Sequence, residues 1–518
     1  MNSNEEYMIR SNYPTPYLPS DISFCDHLLQ NIAAYNKQIA MIDPDSGSAI
    51  TYGDLSIRVE RMRSALYRIG VAHGDVMGTY AGNSSDFIIF CIAATSIGAI
   101  VTPINPAYKT YEVEKYFYEA NVKWAVTEER YFEKLSKSVI LHSVQATIVL
   151  DSAQTTFTSF GFQSFLSNQV ERATVEKAVI GDDPAFIFFS SGTTDQPKGA
   201  VLSNRSLIAA IEIVRIAQNT KTDGYQMVIL DERDIVYGVL PYFHAGGLLT
   251  VFCMLVQGVQ LLINRKFDGT KFLETIEKYK VTTLNLVPPV LNFLADSPLV
   301  QTHNLSTLKH IFVGAAHVEA SLLEKIKQKL QVTNMIELYG LTEAGAMIFM
   351  HPANCEIRPG SCGIPLPGVA CKVIDVQEKT VCGPLQTGEL WIKTSTMMSS
   401  YLRGNEHPDT FIQNGWFQTG DIGYYDEDKF FYIIGRTKET IKVRGWQVSP
   451  HEIEETILQL PEVEQCAVIG IPDEHAEKLA SYKRLTGGIE FINDIPMTAS
   501  GKIARNELLA NFLSFAKK

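Results

Sequence analysis

At 518 residues, 46% of them hydrophobic, the chain is long enough for several packed units, since single domains commonly run to about 100–200 residues. Its 45 Lys and Arg stand against 57 Asp and Glu, a formal charge of −12 with no dense basic block. That balance argues against nucleic acid or an anionic membrane as the main partner and leaves room only for a local cationic site. The eight cysteines, at 25, 91, 253, 355, 362, 371, 382 and 466, lack the close Cys/Cys or Cys/His spacing of a zinc site, so reduced thiols and an intracellular setting are expected. The polar, acidic start Met1-Asn-Ser-Asn-Glu-Glu6 is unlike a presequence, and Phe515-Ala-Lys-Lys518 carries neither a Ser-Lys-Leu signal nor a prenylation box. A cytoplasmic location is the expectation.

Two stretches run long without charge, Phe87–Ile104 and Gly238–Ile263. The first breaks at Gly98 and Pro103 and reads as a buried helix feeding a strand, Ala99–Ile104. Pro241, His244, Gly246, Gly247 and Gln257 interrupt the second, so neither is expected to span a membrane. Between and beyond them, β-rich apolar runs (Ala185–Phe189, Leu308–Gly314) alternate with helical patterns (Ser206–Gln218, Ala320–Leu330). Such alternation favours an α/β fold with largely parallel, buried sheets. Around Gly360–Gly368 the texture changes to Gly/Pro punctuation and short strands, Val369–Asp375 and Gly388–Lys393, which suggests a β-rich subdomain over about 360–436. After Tyr432–Gly435 the charged turn Arg436-Thr-Lys-Glu439 leads into a strand, a loop and a helix within Ile441–Leu460. A large first domain over 20–436 and a small α+β domain over 438–518 are therefore expected, the second beginning near Lys438.

The strongest local signal is Phe188-Phe-Ser-Ser-Gly-Thr-Thr-Asp-Gln-Pro-Lys-Gly199, an apolar strand running into hydroxyl residues, a glycine and a lysine. Backbone N–H groups, hydroxyls and one ammonium in such a loop can hold a polyphosphate. The P-loop of nucleoside triphosphatases is a different pattern: Pro197 stands for its second glycine and Gly199 for its magnesium-binding hydroxyl. Taken alone, the segment also reads as a Ser/Thr-rich surface turn with a solvated lysine.

Further motifs decide between these readings. Leu240-Pro-Tyr-Phe-His-Ala-Gly-Gly247, Gly314-Ala-Ala316, Tyr339-Gly-Leu-Thr-Glu343, Gly415-Trp-Phe-Gln-Thr-Gly-Asp421, Gly435-Arg436 and Pro496-Met-Thr-Ala-Ser-Gly-Lys502-Ile-Ala-Arg505 follow in order. With Thr51-Tyr-Gly-Asp-Leu55 they resemble the adenylate-forming superfamily of acyl-CoA synthetases, luciferases and peptide-synthetase adenylation domains, most of all its 4-coumarate:CoA ligase-like branch. The resemblance implies ATP, Mg²⁺ and coenzyme A as cofactor and cosubstrates, and a small carboxylic acid as partner. It assigns the phosphates to Ser190, Ser191, Gly192, Thr193, Thr194 and Lys198, with Asp195 a departure from the usual glycine or serine. It assigns the adenine and α-phosphate to Gly314, Ala315, Ala316, Tyr339, Gly340 and Thr342, Mg²⁺ to Glu343, and the ribose to Asp421 and Arg436. Each assignment suits the side chain: an aromatic face for stacking, a hard oxygen for the cation, a carboxylate and an arginine fork for a sugar's hydroxyls. His244, by itself an ordinary half-buried histidine, becomes a gate between ATP and the acyl pocket. His317, Glu337, Leu338 and Asn204 are departures, standing where proline, glutamine, glycine and histidine are usual.

In this superfamily the small domain is mobile. Lys502 is implied as the cation at the transition state of adenylation, Lys438 as the hinge, and Lys442, Gly445 and Gln447 as the face that meets the adenylate during transfer to CoA. One departure is large. After a strand expected over Gln465–Ile471, the chain passes through Pro472–Arg484 with a few tens of residues seemingly absent near 474–478. Losing a strand from a small sheet removes ladder hydrogen bonds and predicts a poorly placed Lys502 or a marginally stable domain. The expected reaction is activation of a hydrophobic fatty or aromatic acid to acyl-AMP with release of pyrophosphate, then transfer to CoA. The pocket segments Tyr242–Leu249, Val313–Ala316 and Tyr339–Ile348 are apolar with small residues, which suits such an acid. A luciferase-like adenylating oxygenase and a catalytically weak nucleotide-binding homologue are the alternatives. Substrate identity and oligomeric state are not encoded legibly.

Overall fold

The structure is a computed structural model describing residues 7–437 apart from 139–143, 157–158, 168–177, 191–197, 223, 228–229, 315–317, 319, 346, 354, 403–410 and 413–414. Beyond these it describes 441–443, 446–448, 450–458, 463, 465–470, 492, 494–498 and 502–515.

Helices begin where the sequence supplies caps. Thr51 and Asp54 form a reciprocal capping box at the start of Tyr52–Arg68, so the Thr51-Tyr-Gly-Asp signature is first of all a helix start. Ser84 caps Ser85–Thr95 by accepting from the Phe87 amide, and Ser203 caps Asn204–Asn219 through Ser206. From Phe87 to Thr95 every residue of the Ser85–Thr95 helix is buried, which is why the segment is apolar all round. Its chain continues into the strand Ile100–Ile104 as expected, and Gly238–Ile263 divides into the helix Ala245–Leu255 and the strand Gln260–Ile263. Among the described residues no helix is long and apolar enough to cross a membrane.

The fold is α/β, built on two large sheets. In the first, Ile39–Ile42, Gln260–Ile263, Ile235–Gly238, Thr283–Leu286, His310–Val313 and Asn334–Tyr339 lie side by side and parallel. The same sheet then turns antiparallel through Phe349–Met350, Ser361–Pro365, Phe431–Arg436, Trp416–Tyr425, Gly388–Lys393 and Ala370–Ile374. The β-rich texture seen after Gly360 is thus antiparallel strand, hydrogen-bonded onto the parallel half rather than set apart from it. The second sheet is parallel from Pro184–Ser190 through Ile100–Ile104, Val76–Tyr80, Trp124–Thr127 and Ala146–Val149 to Ser159–Gly161. Lys198–Ser203 and Ser400–Tyr401 extend it with antiparallel pairings. One hydrophobic cluster takes in both sheets and the helices Phe24–Ile32, Ser85–Thr95, Asn204–Asn219 and Ala245–Leu255. Phe252 stands at its centre, 5.0 Å from Phe24 and 6.2 Å from Phe186, ring to ring.

In the C-terminal part, Ile441–Val443 and Trp446–Val448 form a hairpin followed by the helix Pro450–Leu458, in the expected order. Of the strand expected over Gln465–Ile471, the described residues 465–470 carry no strand pairing. Side chains take the place of a neighbouring strand. The Val468 amide donates to Glu454 Oε1 at 2.7 Å, and its carbonyl accepts from Arg505 at 3.4 Å. The segment around 474–478 lies outside the described residues.

Candidate active site

The site forms where the ends of the two sheets meet. Ser190 closes one strand and Lys198 opens the next, and the two are register partners, so the ends of the 191–197 loop are held together. Ser191, Gly192, Thr193, Thr194 and Asp195 lie outside the described residues. Ser190 donates its hydroxyl to Glu343 Oε1 at 2.8 Å, bridging from the second sheet to the turn after Asn334–Tyr339. Tyr401 donates to the same oxygen at 3.1 Å, and the Lys198 ammonium sits 5.3 Å from the centre of the Tyr401 ring. Phosphate-loop lysine, serine and candidate metal carboxylate are therefore brought together. Tyr401 is the member that sequence reasoning missed. Its signal is weak: a tyrosine closing the hydroxyl run Thr394–Ser400, with its role set by a strand pairing that no local pattern shows.

With Oε1 of Glu343 engaged by two hydroxyls, the carboxylate is oriented by its neighbours. No cluster of three acids or histidines exists among the described residues. That combination fits Mg²⁺, which is held by one or two carboxylates with phosphate oxygens and water completing its octahedron. Glu343 and Thr342 sit in a short 3-10 turn that ends at Gly345 in the left-handed region, φ 67°. A β-carbon at Gly345 would lie 2.6 Å from the Thr396 carbonyl oxygen. Strained φ and this clash together predict that G345A loses about 2–4 kcal/mol of stability. Urea unfolding of the variant measures it; an unchanged midpoint would contradict the close packing of this turn.

The second group is the sugar end. Asp421 and Arg436 are register partners on adjacent antiparallel strands. Arg436 Nε approaches Asp421 Oδ1 at 2.8 Å, and the phenol of Tyr339 donates to Oδ2. Asp421 is 3% exposed at its side chain, so the carboxylate is fixed by a cation on one oxygen and a hydroxyl on the other. Tyr339 stacks on Phe349 with centroids 5.4 Å apart, which holds the ring rigid. Burial, reinforced by Asp421, pushes its phenol far above the ordinary range, so it remains a donor. Gly314 directly follows the neighbouring strand His310–Val313, and a β-carbon there would come within 3.0 Å of the Leu338 carbonyl oxygen. Gly340 follows Tyr339 directly; Ala315, Ala316 and His317 lie outside the described residues.

His244 is the N-cap residue of Ala245–Leu255, its ring 4.8 Å from that of Phe243. Burial first, and the charge of Lys502 second, lower its pKa to about 4, so the imidazole is neutral at ordinary pH. Lys502 acts on it from a built loop. The Lys502 amide donates to Thr498 Oγ1 at 3.1 Å and its carbonyl accepts from the Thr498 amide at 2.7 Å. Arg505 then anchors the following helix with two bonds to Glu454, at 2.6 and 2.9 Å. Lys442 and Gln447 are register partners in their hairpin; Lys438 and Gly445 lie outside the described residues.

Two departures acquire explanations. Asn204 is structural: it accepts from the Phe24 amide at 3.1 Å and donates to the Asp183 carbonyl at 3.1 Å, away from the site. Glu337 has a carboxyl oxygen, Oε2, that is sealed from solvent without a hydrogen-bond partner among the described residues. Desolvation raises its pKa from 4.5 to about 8. The folded chain therefore holds a proton that the unfolded chain releases near pH 4.5, so stability falls as pH rises from there and the loss is complete above about 8. At about 1.4 kcal/mol per unit the loss is on the order of 5 kcal/mol. E337Q keeps the shape without the titration, and its melting temperature is expected to exceed the wild type's at pH 8.5 and to match it at pH 5. Parallel melting curves across that range would refute the assignment.

Residues 28–402 match the AMP-binding enzyme family. The chain is 30% identical to a 4-coumarate–CoA ligase from Humulus lupulus over 542 aligned positions, covering 98% of this chain and 97% of that one. A 4-coumarate–CoA ligase from Petroselinum crispum is also 30% identical, covering 98% of each chain. Because the aligned span exceeds the 518 residues here, gaps fall within this chain. Among solved structures, an anthranilate–CoA ligase in complex with anthranoyl-AMP superposes with a TM-score of 0.82 at 24% identity over 100% of both chains. ATP-bound MatB from Rhodopseudomonas palustris also gives 0.82, at 23% identity, covering 95% of this chain and 100% of that one. Those likenesses establish the fold. The chain belongs to the AMP-binding enzyme family. Within that family it is an acid–thiol ligase of the adenylate-forming acyl- and aryl-CoA ligase group.

Proposed function

We propose that the protein joins a hydrophobic, fatty or aromatic carboxylic acid to AMP at the expense of ATP, and then passes the acyl group to coenzyme A. The supporting observation is the junction of the two sheets, where Ser190, Lys198, Glu343 and Tyr401 stand in one group and Tyr339, Asp421 and Arg436 in another. In this reading the hydroxyl and ammonium of the first group, with the 191–197 loop, hold the β- and γ-phosphates. Asp421 and Arg436 hold the ribose, and Tyr339 offers a ring to the adenine. Thr342 contacts the α-phosphate. Mg²⁺, when bound at Glu343, would neutralise phosphate charge.

A carboxylate oxygen of the acid attacks the α-phosphorus, the bond to the bridging oxygen of the β-phosphate breaks, and pyrophosphate leaves. Two anions meet in that step, so a cation at the α-phosphate lowers the barrier; Lys502 supplies it. Neutral His244 separates the nucleotide from the acyl pocket without adding charge of its own. The small domain then turns about Lys438 to bring Lys442, Gly445 and Gln447 to the adenylate. The CoA thiolate attacks the acyl carbonyl, and AMP leaves carrying the former carboxylate oxygen.

Incubation with ATP, Mg²⁺, CoA and a panel of fatty and aromatic acids tests the reading. AMP and an acyl-CoA are expected. Oxygen uptake would instead favour an adenylating oxygenase, and nucleotide binding without pyrophosphate release a catalytically weak homologue.

A further inference from the structure

We infer that Asn83 is a positioning residue that sets the place of His244 and with it the opening to the acyl pocket; this deepens the proposed reading and rests on it. Asn83 lies between the strand Val76–Tyr80 of the second sheet and the helix Ser85–Thr95, and is 7% exposed. Its amide reaches across to the first sheet. Oδ1 accepts from the Tyr242 amide at 2.8 Å, and Nδ2 donates to the carbonyls of Leu240 and Asn264, both at 3.0 Å. Two carbonyl oxygens and one N–H admit a single orientation of the amide, and every N–H it carries is used.

The segment it grips bears His244. Leu240 directly follows the stretch leaving the strand Ile235–Gly238, and His244 opens the helix Ala245–Leu255. The turn between them is tight: the His244 amide donates to the Pro241 carbonyl at 3.2 Å, and a β-carbon on Gly247 would run into that same oxygen. Tyr242 stacks on Phe87 of the next helical turn after Asn83, centroids 6.4 Å apart. Leu240–Tyr242 is thereby fixed against the second sheet by three hydrogen bonds and a ring contact, and the short turn transmits that position to His244. The nucleotide contacts at Glu343, Tyr339, Asp421 and Arg436 share none of these bonds.

Only residues at the acid end should feel the loss. In N83D one carboxylate oxygen faces two carbonyls and both donated bonds vanish; N83A, which removes all three, serves if N83D does not fold. H73A is the control, since it breaks the His73–Asp183 pair, 3.0 Å, beside the second sheet and away from this turn. Two readouts are taken on the full chain: KM for acid and for ATP in pyrophosphate release, and the ¹³C-histidine resonance of His244, assigned with H244Q. A shift on the order of an ångström in a positioned group costs up to about a hundredfold, so the acid KM is expected to rise at least about tenfold with ATP KM within about twofold, and the His244 resonance to move. H73A should do neither. Equal rises in both KM values, or an unmoved His244 resonance, would overturn the inference. If the wild type releases no pyrophosphate with any acid, the functional reading has failed, and the resonance alone decides whether Asn83 places His244.

Discussion

Replacing Lys502 by alanine is expected to slow acyl-AMP formation by about a hundred- to a thousandfold while ATP binding changes little. The expectation follows from where charge develops. In the proposed reading ground-state ATP is held by the phosphate loop, Glu343, Asp421 and Arg436, whereas the ammonium is required when the incoming carboxylate adds its charge at the α-phosphorus. Loss of one preorganised donor at such a point typically costs about 3–4 kcal/mol. The loop that carries Lys502 is closed by backbone and Thr498 bonds and anchored by Arg505 on Glu454. K502A should therefore fold normally. Supplied with a synthetic acyl-AMP, it should still form acyl-CoA, because that half-reaction is assigned to the Lys442 and Gln447 face. Pyrophosphate release from ATP and acid measures the first half, and acyl-CoA formation from preformed adenylate measures the second. Equal loss in the two would show that Lys502 is not specific to adenylation.

The second large effect is expected at Asp421. D421N preserves the shape and the bond from Tyr339 but removes the charge that pairs with Arg436, 2.8 Å away. Hydrogen bonds to a charged acceptor contribute about 1.5–3 kcal/mol, so the KM for ATP should rise by about ten- to a hundredfold with the acid KM nearly unchanged. Arg436 left without its carboxylate in a half-buried setting adds a stability loss of a few kcal/mol, on the order of that for breaking a buried pair. Titration with ATP and with its 2′-deoxy and 3′-deoxy analogues checks the role directly. If the variant and the wild type discriminate the deoxy analogues equally, Asp421 does not read the ribose.

What the sequence made legible follows from which interactions are local. Helix starts rest on local bonds, since Thr51, Ser84 and Ser203 each accept from the residue three positions on. The alternation of strand and helix gave the α/β class, and unbroken apolar runs such as Phe186–Phe188 belong to strands buried in the core. Pairings between distant segments were not readable. Tyr401 joins Glu343 only because Ser400–Tyr401 adds to the edge of Lys198–Ser203, a contact spanning two hundred positions or so. Gln465–Ile471 has the composition of a strand, yet a strand exists only with a neighbour, and at Val468 it is the side chains of Glu454 and Arg505 that meet the backbone N–H and C=O. Glu337 looked like a mere departure from glutamine; its sealed, unpartnered oxygen is a property of the packing around it.

The C-terminal region bears on the two proposed half-reactions unequally. In the proposed reading adenylation depends on Lys502, whose carbonyl accepts from the Thr498 amide and whose neighbour Arg505 is anchored on Glu454. Transfer to CoA, in that reading, depends also on the hairpin of Ile441–Val443 and Trp446–Val448, where Lys442 and Gln447 are register partners. A ligase that adenylates well and transfers slowly would be the expected outcome of weakening only the second arrangement.

The route of the oxygen atoms tests the central claim most directly. With an acid labelled by ¹⁸O in both carboxylate positions, attack on the α-phosphorus followed by thiolysis must leave one ¹⁸O in AMP and one in the acyl-CoA. Mass spectrometry of the products should show AMP heavier by a single ¹⁸O with unlabelled pyrophosphate. Unlabelled AMP, or ADP and phosphate in its place, would contradict activation through an acyl adenylate.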